Sequence, residues 1–161
     1  MHDKAGCSVE AFIREQFHIE EKDIRSYSPL TLAYIGYGIY ELVIRTAAVT
    51  KGNKQVKKLH REVSCLVKAQ AQSAMMETLL PLLTKEEDDI YHRGRNAKSF
   101  TVSKHATIND YRRATGFEAL MGYLYLTGRM DRLMELVKKA VEGYTPNEHA
   151  GTEARNMYGR D

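Results

Sequence analysis

Two glycines stand two residues apart in an apolar run that reads as one long helix, Leu32-Ala-Tyr-Ile-Gly-Tyr-Gly-Ile-Tyr-Glu41. Inside a helix each glycine costs roughly 1 kcal/mol relative to alanine, because it gives up more backbone freedom on ordering. A helix that carries both Gly36 and Gly38 needs something in return, namely close approach of another backbone or of a ligand. The fold must supply that neighbour.

Helical signals run through the rest of the chain, and no strand or hairpin pattern appears. Ser8 caps a short helix with Val9, Phe12, Ile13 and Phe17 at helical spacing. Ser28-Pro29 opens the glycine-bearing helix, with serine as the cap and proline in the first turn, where its missing N–H is not needed. That helix runs to about Thr50 and ends near Gly52. A third runs from about Asn53 into the seventies and aligns Val56, Leu59, Val63, Leu66 and Val67 along one stripe. Pro81 interrupts the next apolar run, and Thr84-Lys-Glu-Glu87 is a capping box that starts a helix ending near Gly94. Residues 96–106, rich in Lys, Ser and Thr, read as a loop. A second long helix spans Thr107 to Leu126 and is closed by Gly128. The last helix presents Met130, Leu133, Met134, Val137 and Val141, with Gly143 as its stop. The expectation is an all-α domain with two long central helices over residues 28–143. An extension with a short helix (1–27) precedes it, and an aperiodic, mobile tail (144–161) follows.

A chain of 161 residues is expected to form one domain with a real core. Cys7 and Cys65 lie far apart and outline neither a disulfide framework nor a zinc site, which predicts a reducing, cytoplasmic setting. The N-terminus lacks the apolar run of a signal peptide. The most apolar stretch, Leu30 to Thr50, is interrupted by Glu41 and Arg45 and reads as a buried helix, not a membrane span. The net charge of +3 conceals an uneven distribution. Residues 51–68 carry a net +5, residues 93–113 another +5, and the first 28 residues −2. Two concentrated basic segments point to a polyanion partner, with solvated helix faces as the plainer alternative.

Three stretches rise above generic helix. The first is the glycine-bearing segment, with Arg45 one turn beyond Glu41. The second, Arg93-Gly-Arg-Asn-Ala-Lys-Ser99, is a basic turn with small residues suited to gripping phosphates. In the third, Tyr111-Arg-Arg-Ala-Thr-Gly-Phe-Glu-Ala-Leu-Met-Gly-Tyr-Leu-Tyr-Leu126, Glu118 sits amid Phe117, Leu120 and Met121. A lone carboxylate on such a helix is costly unless it meets a cation or a metal. Tyr123 and Tyr125 read as core or interface residues, and neither His60 nor His92 has ligand spacing.

Together these segments resemble ribonuclease III, and specifically its Mini branch. That family carries Ala-Tyr-Ile-Gly-Asp-x-x-Tyr-Glu on its first long helix and Phe-Glu-Ala-Leu-x-Gly on a later one. The Mini branch adds Arg-Gly-Arg-Asn-Ala-Lys between them. All three occur here in that order, and the resemblance covers about residues 28–142. As in the Mini branch, the chain ends without room for a separate double-stranded-RNA-binding domain. The resemblance implies a homodimer that hydrolyses duplex RNA with Mg²⁺ held by carboxylates of the two long helices. It implies a role in maturing precursor large-subunit ribosomal RNA. Glu118 would be a metal ligand. Arg93, Arg95, Asn96, Lys98, Arg112 and Arg113 would hold phosphates, with Lys57 and Lys58 as further RNA contacts.

One position departs from the pattern. Where the family has its catalytic Asp, this chain has Tyr37, whose neutral phenol is a poor Mg²⁺ ligand. Ala33 and Thr115 replace two acidic positions of the full-length enzymes, as is usual in the Mini branch. Glu41, one turn from Tyr37, is a candidate substitute ligand, against the plainer expectation of a salt bridge to Arg45 at i,i+4. Two readings stay open: an endoribonuclease slowed or inactivated by Tyr37, and a non-catalytic duplex-RNA-binding or ribosome-associated protein with the same fold.

Overall fold

The computed structural model describes residues 8–98 and 107–146, so the expected tail beyond residue 146, most of the 96–106 loop and the first seven residues lie outside the described residues. Within them the chain is helical, without strands. The helices are α1 (Val9–Gln16), α2 (Pro29–Thr50), α3 (Val56–Val67), α4 (Ala69–Leu79), α5 (Lys85–Asn96), α6 (Ile108–Leu126) and α7 (Met130–Glu142). Local chemistry sets most of their starts. Ser8, Ser28, Thr84 and Thr107 each accept a hydrogen bond from a backbone N–H in the first turn, and Thr84 and Glu87 close a reciprocal capping box. After α6 the chain turns at Gly128, whose φ of +72° is left-handed. There the Arg129 N–H reaches back to the Leu124 carbonyl at 2.8 Å, satisfying an orphan acceptor of the helix end.

The two long helices, α2 and α6, form the spine. They cross in backbone contact: a Cβ placed on Gly36 would lie 1.7 Å from the Glu118 carbonyl oxygen. One turn along, a Cβ on Gly122 would lie 1.9 Å from the Leu32 carbonyl oxygen. α5 packs on α6 in the same manner, with the Gly94 Cβ position 2.7 Å from Ala119 and that of Gly116 2.7 Å from the Tyr91 ring. Around this spine Leu32, Tyr40, Met75, Met76, Leu79, Phe117, Leu120, Leu124, Leu133 and Leu136 form the core. Tyr40 and Phe117 meet edge to face at 4.8 Å, and the Tyr40 hydroxyl donates to the Leu66 carbonyl at 2.7 Å. α7 is fastened to α5 by Arg132. Its Nε and Nη2 both donate at 2.9 Å to the carboxylate of Glu87, which is 1% exposed. Removing one partner of such a buried pair costs about 3–5 kcal/mol.

Three expectations are corrected. Gly36 has its close neighbour, but a Cβ on Gly38 would meet nothing within 4 Å, because that face of α2 points outward. The third helix is two helices. Lys68, with ψ of 154°, breaks the run between α3 and α4, and α4 turns inward to bury Ala71, Gln72, Ser73, Met75, Met76 and Leu79. Among the stripe residues, Val56 at the start of α3 and Met134 on α7 stay exposed; Leu136 takes the core place on α7. The apolar positions of α1 are likewise exposed.

The two helix glycines should therefore respond oppositely to alanine. Gly36→Ala must push the α2 and α6 backbones apart and is expected to cost about 3 kcal/mol or more, at the upper end of overpacking penalties. Gly38→Ala at sub-micromolar concentration should gain about 0.5–1 kcal/mol from helix propensity. Urea denaturation of both variants checks the pair, and equal effects would refute the assignment of the crossing to Gly36.

Candidate active site

The α2–α6 crossing puts Gly36 against the Glu118 carbonyl, and Tyr37, one residue on, lies within reach of the Glu118 charge from the facing helix. Tyr37 is half exposed, and its hydroxyl donates to Glu41 Oε1 at 3.5 Å. The Glu41 charge foremost, then partial burial and the bond to Glu41, raise the phenol pKa; the Glu118 charge adds to this, while Arg45 opposes it. Position 37 thus feels both carboxylates, and Tyr37 is neutral at working pH.

Glu118 is the most perturbed carboxylate of this region. Burial pushes its pKa up to about 7, opposed only by the Gln72 amide of α4, and no basic side chain compensates it. An isolated carboxylate held among apolar groups lacks the counter-charge that a hard cation would bring. Glu41 is differently placed. Arg45 Nη2 approaches it at 3.5 Å and the Tyr37 hydroxyl holds its other oxygen. For a metal the donor set is therefore half complete: Glu118 suits Mg²⁺, Tyr37 does not, and Glu41 is already engaged. Among the described residues no group of three or more His, Cys, Asp or Glu side chains converges.

The basic residues fall into separate groups. Arg93 and Asn96, at the end of α5, line an open hollow with Asp89, His92 and Ala97 of the same helix end and Pro29 at the start of α2. Arg95 is partly buried and Lys98 exposed in the same turn. At 1.5 Å rise per residue, Pro29 is roughly 12 Å along α2 from position 37. Arg112 and Arg113 lie one to two turns before Glu118 on α6; Arg112 is exposed, and Arg113 Nη1 approaches Glu77 at 3.5 Å. Lys57 and Lys58 are not brought to this group. α3 runs back along α2, with Leu66 against Tyr40, so they project near the far end of α2, roughly 20 Å from position 37. His92 approaches Asp88 at 3.2 Å, and Tyr123 and Tyr125 are buried. The Tyr123 hydroxyl donates to Glu86, and Arg129 stacks 5.0 Å from its ring.

An apolar cavity of about 340 Å³ lies elsewhere, between the second half of α2, α3 and α7, lined by Val43, Ile44, Leu66 and Val137 among others. Its one carboxylate, Glu62, is paired with Lys54 at 2.8 Å, so it offers no comparable chemistry. The sequence pattern passed over Gln72, which lies in a run of small and amide residues without amphipathic period. Only the break at Lys68 sends it inward.

A helical fold of this kind is found in known proteins. The profile of the Ribonuclease III domain matches residues 30–129. A Mini-ribonuclease 3 from Thermoanaerobacter sp. is 43% identical over 135 residues, covering 84% of this chain and 95% of the relative. The Mini-ribonuclease 3 of Clostridium tetani is 42% identical over 90% of this chain and 94% of its own length, and that of Enterococcus faecalis 45% identical over 75% and 93%. A crystal structure of a Fusobacterium nucleatum protein superposes with a TM-score of 0.69 at 32% identity, covering 76% of this chain and 98% of that one. The chain belongs to the ribonuclease III family of endoribonucleases, and within it to the Mini-ribonuclease III branch. No helix among the described residues is long and apolar enough to cross a membrane.

The raised Glu118 pKa has a consequence for stability. The unfolded chain releases this proton near the ordinary value of 4.5, the folded chain only near 7, so the folded state binds more protons in between. Stability should fall as pH rises through that window. Glu118→Gln removes the charge, and in metal-free buffer it should be more stable than the parent by on the order of 1–3 kcal/mol at pH 8, with the difference fading below pH 5. Thermal unfolding at both pH values tests this, and a constant difference would refute it.

Proposed function

We propose that this chain is a double-strand-specific endoribonuclease whose hydrolytic centre is built on Glu118 and position 37, and that Tyr37 slows or silences it. The observation that supports the reading is Glu118 on α6, a carboxylate whose pKa burial raises and no cation offsets, within electrostatic reach of Tyr37 on α2. With an Asp at position 37, two carboxylates would face one point and would hold Mg²⁺. When bound, that ion supplies an activated water and stabilises charge on the phosphate oxygens. Tyr37 withdraws one negative charge and puts a ring where the ion and the scissile phosphate belong. The loss of that charge also lessens repulsion of the RNA backbone, so binding survives where cleavage fails.

The substrate is precursor large-subunit ribosomal RNA, cut in a duplex stem in the cytoplasm. The names of the relatives and the basic turn beside the start of α2 support a duplex-RNA ligand; A-form RNA is recognised largely through phosphates and 2′-hydroxyls. The working unit is a homodimer. Leu30, Tyr34, Tyr37, Leu42 and Val49 are exposed along one stripe of α2, and Gly38 on the same stripe is open to close approach by another backbone. The rival reading, a non-catalytic duplex-RNA-binding protein, is favoured by Tyr37 itself and opposed by the retained Glu118.

Cleavage of duplex RNA in Mg²⁺ by the Tyr37→Asp variant separates the two. The chain as written should bind and cut very slowly or not at all. Tyr37→Asp should raise the single-turnover rate by about a hundredfold or more, the scale of restoring one charge-stabilising group, and Glu118→Gln on top of it should abolish the gain. Efficient cleavage by the unaltered chain would mean that Glu41 or another carboxylate has taken over.

Binding is expected to weaken steeply with salt. Replacing Arg93, Arg95 and Lys98 by alanine should flatten the slope of log affinity against log salt by on the order of one unit for each phosphate no longer neutralised. An unchanged slope would exclude this turn from the RNA interface.

A further inference from the structure

The open hollow at the end of α5 is chemically mixed: His92, Arg93 and Asn96 line it together with Asp89. Arg93 and the Asn96 amide are donors of the kind that hold phosphate, whereas the Asp89 carboxylate repels it. The side chains of Asp89, Arg93 and Asn96 make no hydrogen bond or ion pair among the described residues. Yet Asp89 and Arg93 stand at the i,i+4 spacing that commonly pairs on a helix. Donors and an acceptor are thus left open to the same hollow.

His92 is held from one side only. Its Nδ1 lies 2.9 Å from the Asp88 main-chain oxygen and 3.2 Å from Asp88 Oδ2, and its ring stands edge to face on Tyr91 at 5.1 Å. Tyr91 is in turn buried against Gly116 of α6, so the imidazole rests on a rigid wall. A carbonyl and a carboxylate oxygen accept and do not donate. In the neutral ring Nδ1 therefore carries the hydrogen, and Nε2 keeps its lone pair. Nε2 has no hydrogen-bond partner among the described residues. The plain role of a histidine near a helix end, bonding a carbonyl, uses Nδ1 alone. It does not account for a braced acceptor set beside two phosphate donors.

A phosphate offers acceptors only, and a ribose adds a donor, the 2′-hydroxyl that tells RNA from DNA. We infer that this hollow seats a ribose-phosphate unit of duplex RNA: His92 Nε2 accepts the hydrogen of a 2′-hydroxyl, and Arg93 and Asn96 donate to an adjoining phosphate. Asp89 reinforces the choice, because a carboxylate in the hollow disfavours a second phosphate and tolerates a neutral hydroxyl. His92 is thereby a specificity-determining residue. It lies away from position 37 and acts on which duplex is held, not on the bond that is cut. The inference rests on the proposed binding of duplex RNA at this turn.

The test is equilibrium binding of the full chain, at pH 8 and one fixed salt concentration, to two duplexes of the same sequence. One is RNA; the other carries 2′-fluoro riboses, which keep the A-form but lack the hydroxyl donor. The RNA should bind about 3–10-fold more tightly, the scale of one hydrogen bond. His92→Phe keeps a ring against Tyr91 and removes the acceptor. It should weaken RNA binding by that factor and leave binding of the 2′-fluoro duplex unchanged. Should His92→Phe not fold, His92→Ala carries the same expectation. A parent chain without preference, or a preference that survives the substitution, overturns the role of His92 and leaves RNA binding standing. An equal loss on both duplexes also overturns it, since the ring would then act on phosphates or on the fold. A parent chain that binds neither duplex overturns the reading of this turn as an RNA contact, and the inference with it.

Discussion

The contact between α2 and α6 at Gly36 and Gly122 governs the rest of the molecule. With Cβ positions under 2 Å from the facing carbonyl oxygens, neither residue tolerates a side chain, and the two backbones are fixed in register and depth. That register decides which residues stack above and below the crossing. Leu32, Tyr40, Phe117 and Leu124 fall into the core, while Tyr37 and the half-buried Glu118 lie at its edge, within reach of each other's charge. A shift of one residue on either helix would separate them. α5 repeats the device against α6 through Gly94 and Gly116, so the basic turn at its end inherits a fixed position relative to the site.

The electrostatics of the site follow from that geometry. Close helix packing leaves Glu118 only partly open to water, which raises its pKa, and no lysine or arginine offsets that shift. The cations nearby are either exposed, as Arg93 and Arg112 are, or already turned toward other carboxylates, as Arg113 is toward Glu77 and Arg45 toward Glu41. The protein elsewhere shows that it pairs buried charge when stability is the aim: Glu87, as deeply buried as any core leucine, has Arg132 bonded to both its oxygens. Glu118 has no such cation offsetting its charge. A carboxylate left in this state is perturbed as functional groups are, not as structural ones are.

The break at Lys68 shapes the core. It costs α3 and α4 the continuity of one long helix and gives α4 a direction into the core. The same bend exposes the Val67 carbonyl that Gln72 caps.

The sequence by itself determined the helices and where most of them start. Ser8, Ser28-Pro29, the Thr84–Glu87 box and Thr107 act on N–H groups within their own first turn, so no distant partner is needed to read them. It also determined that Glu118 is costly and that Tyr37 stands out of pattern, since both are matters of residue type. Tertiary structure alone decided which of the two adjacent glycines is a crossing point: Gly36 and Gly38 are locally alike, and only the presence of α6 on one face tells them apart. It alone decided the break after Val67, because the small and amide residues that follow carry neither a helix-stop signal nor an apolar period, and only packing against α6 rewards the turn inward. It placed Lys57 and Lys58 at the far end of α2 from Arg93, although both segments carry the same net charge. And it sent Gln72 inward to cap the Val67 carbonyl, a burial that no local signal encodes, because only the break at Lys68 turns that face of α4 toward the core.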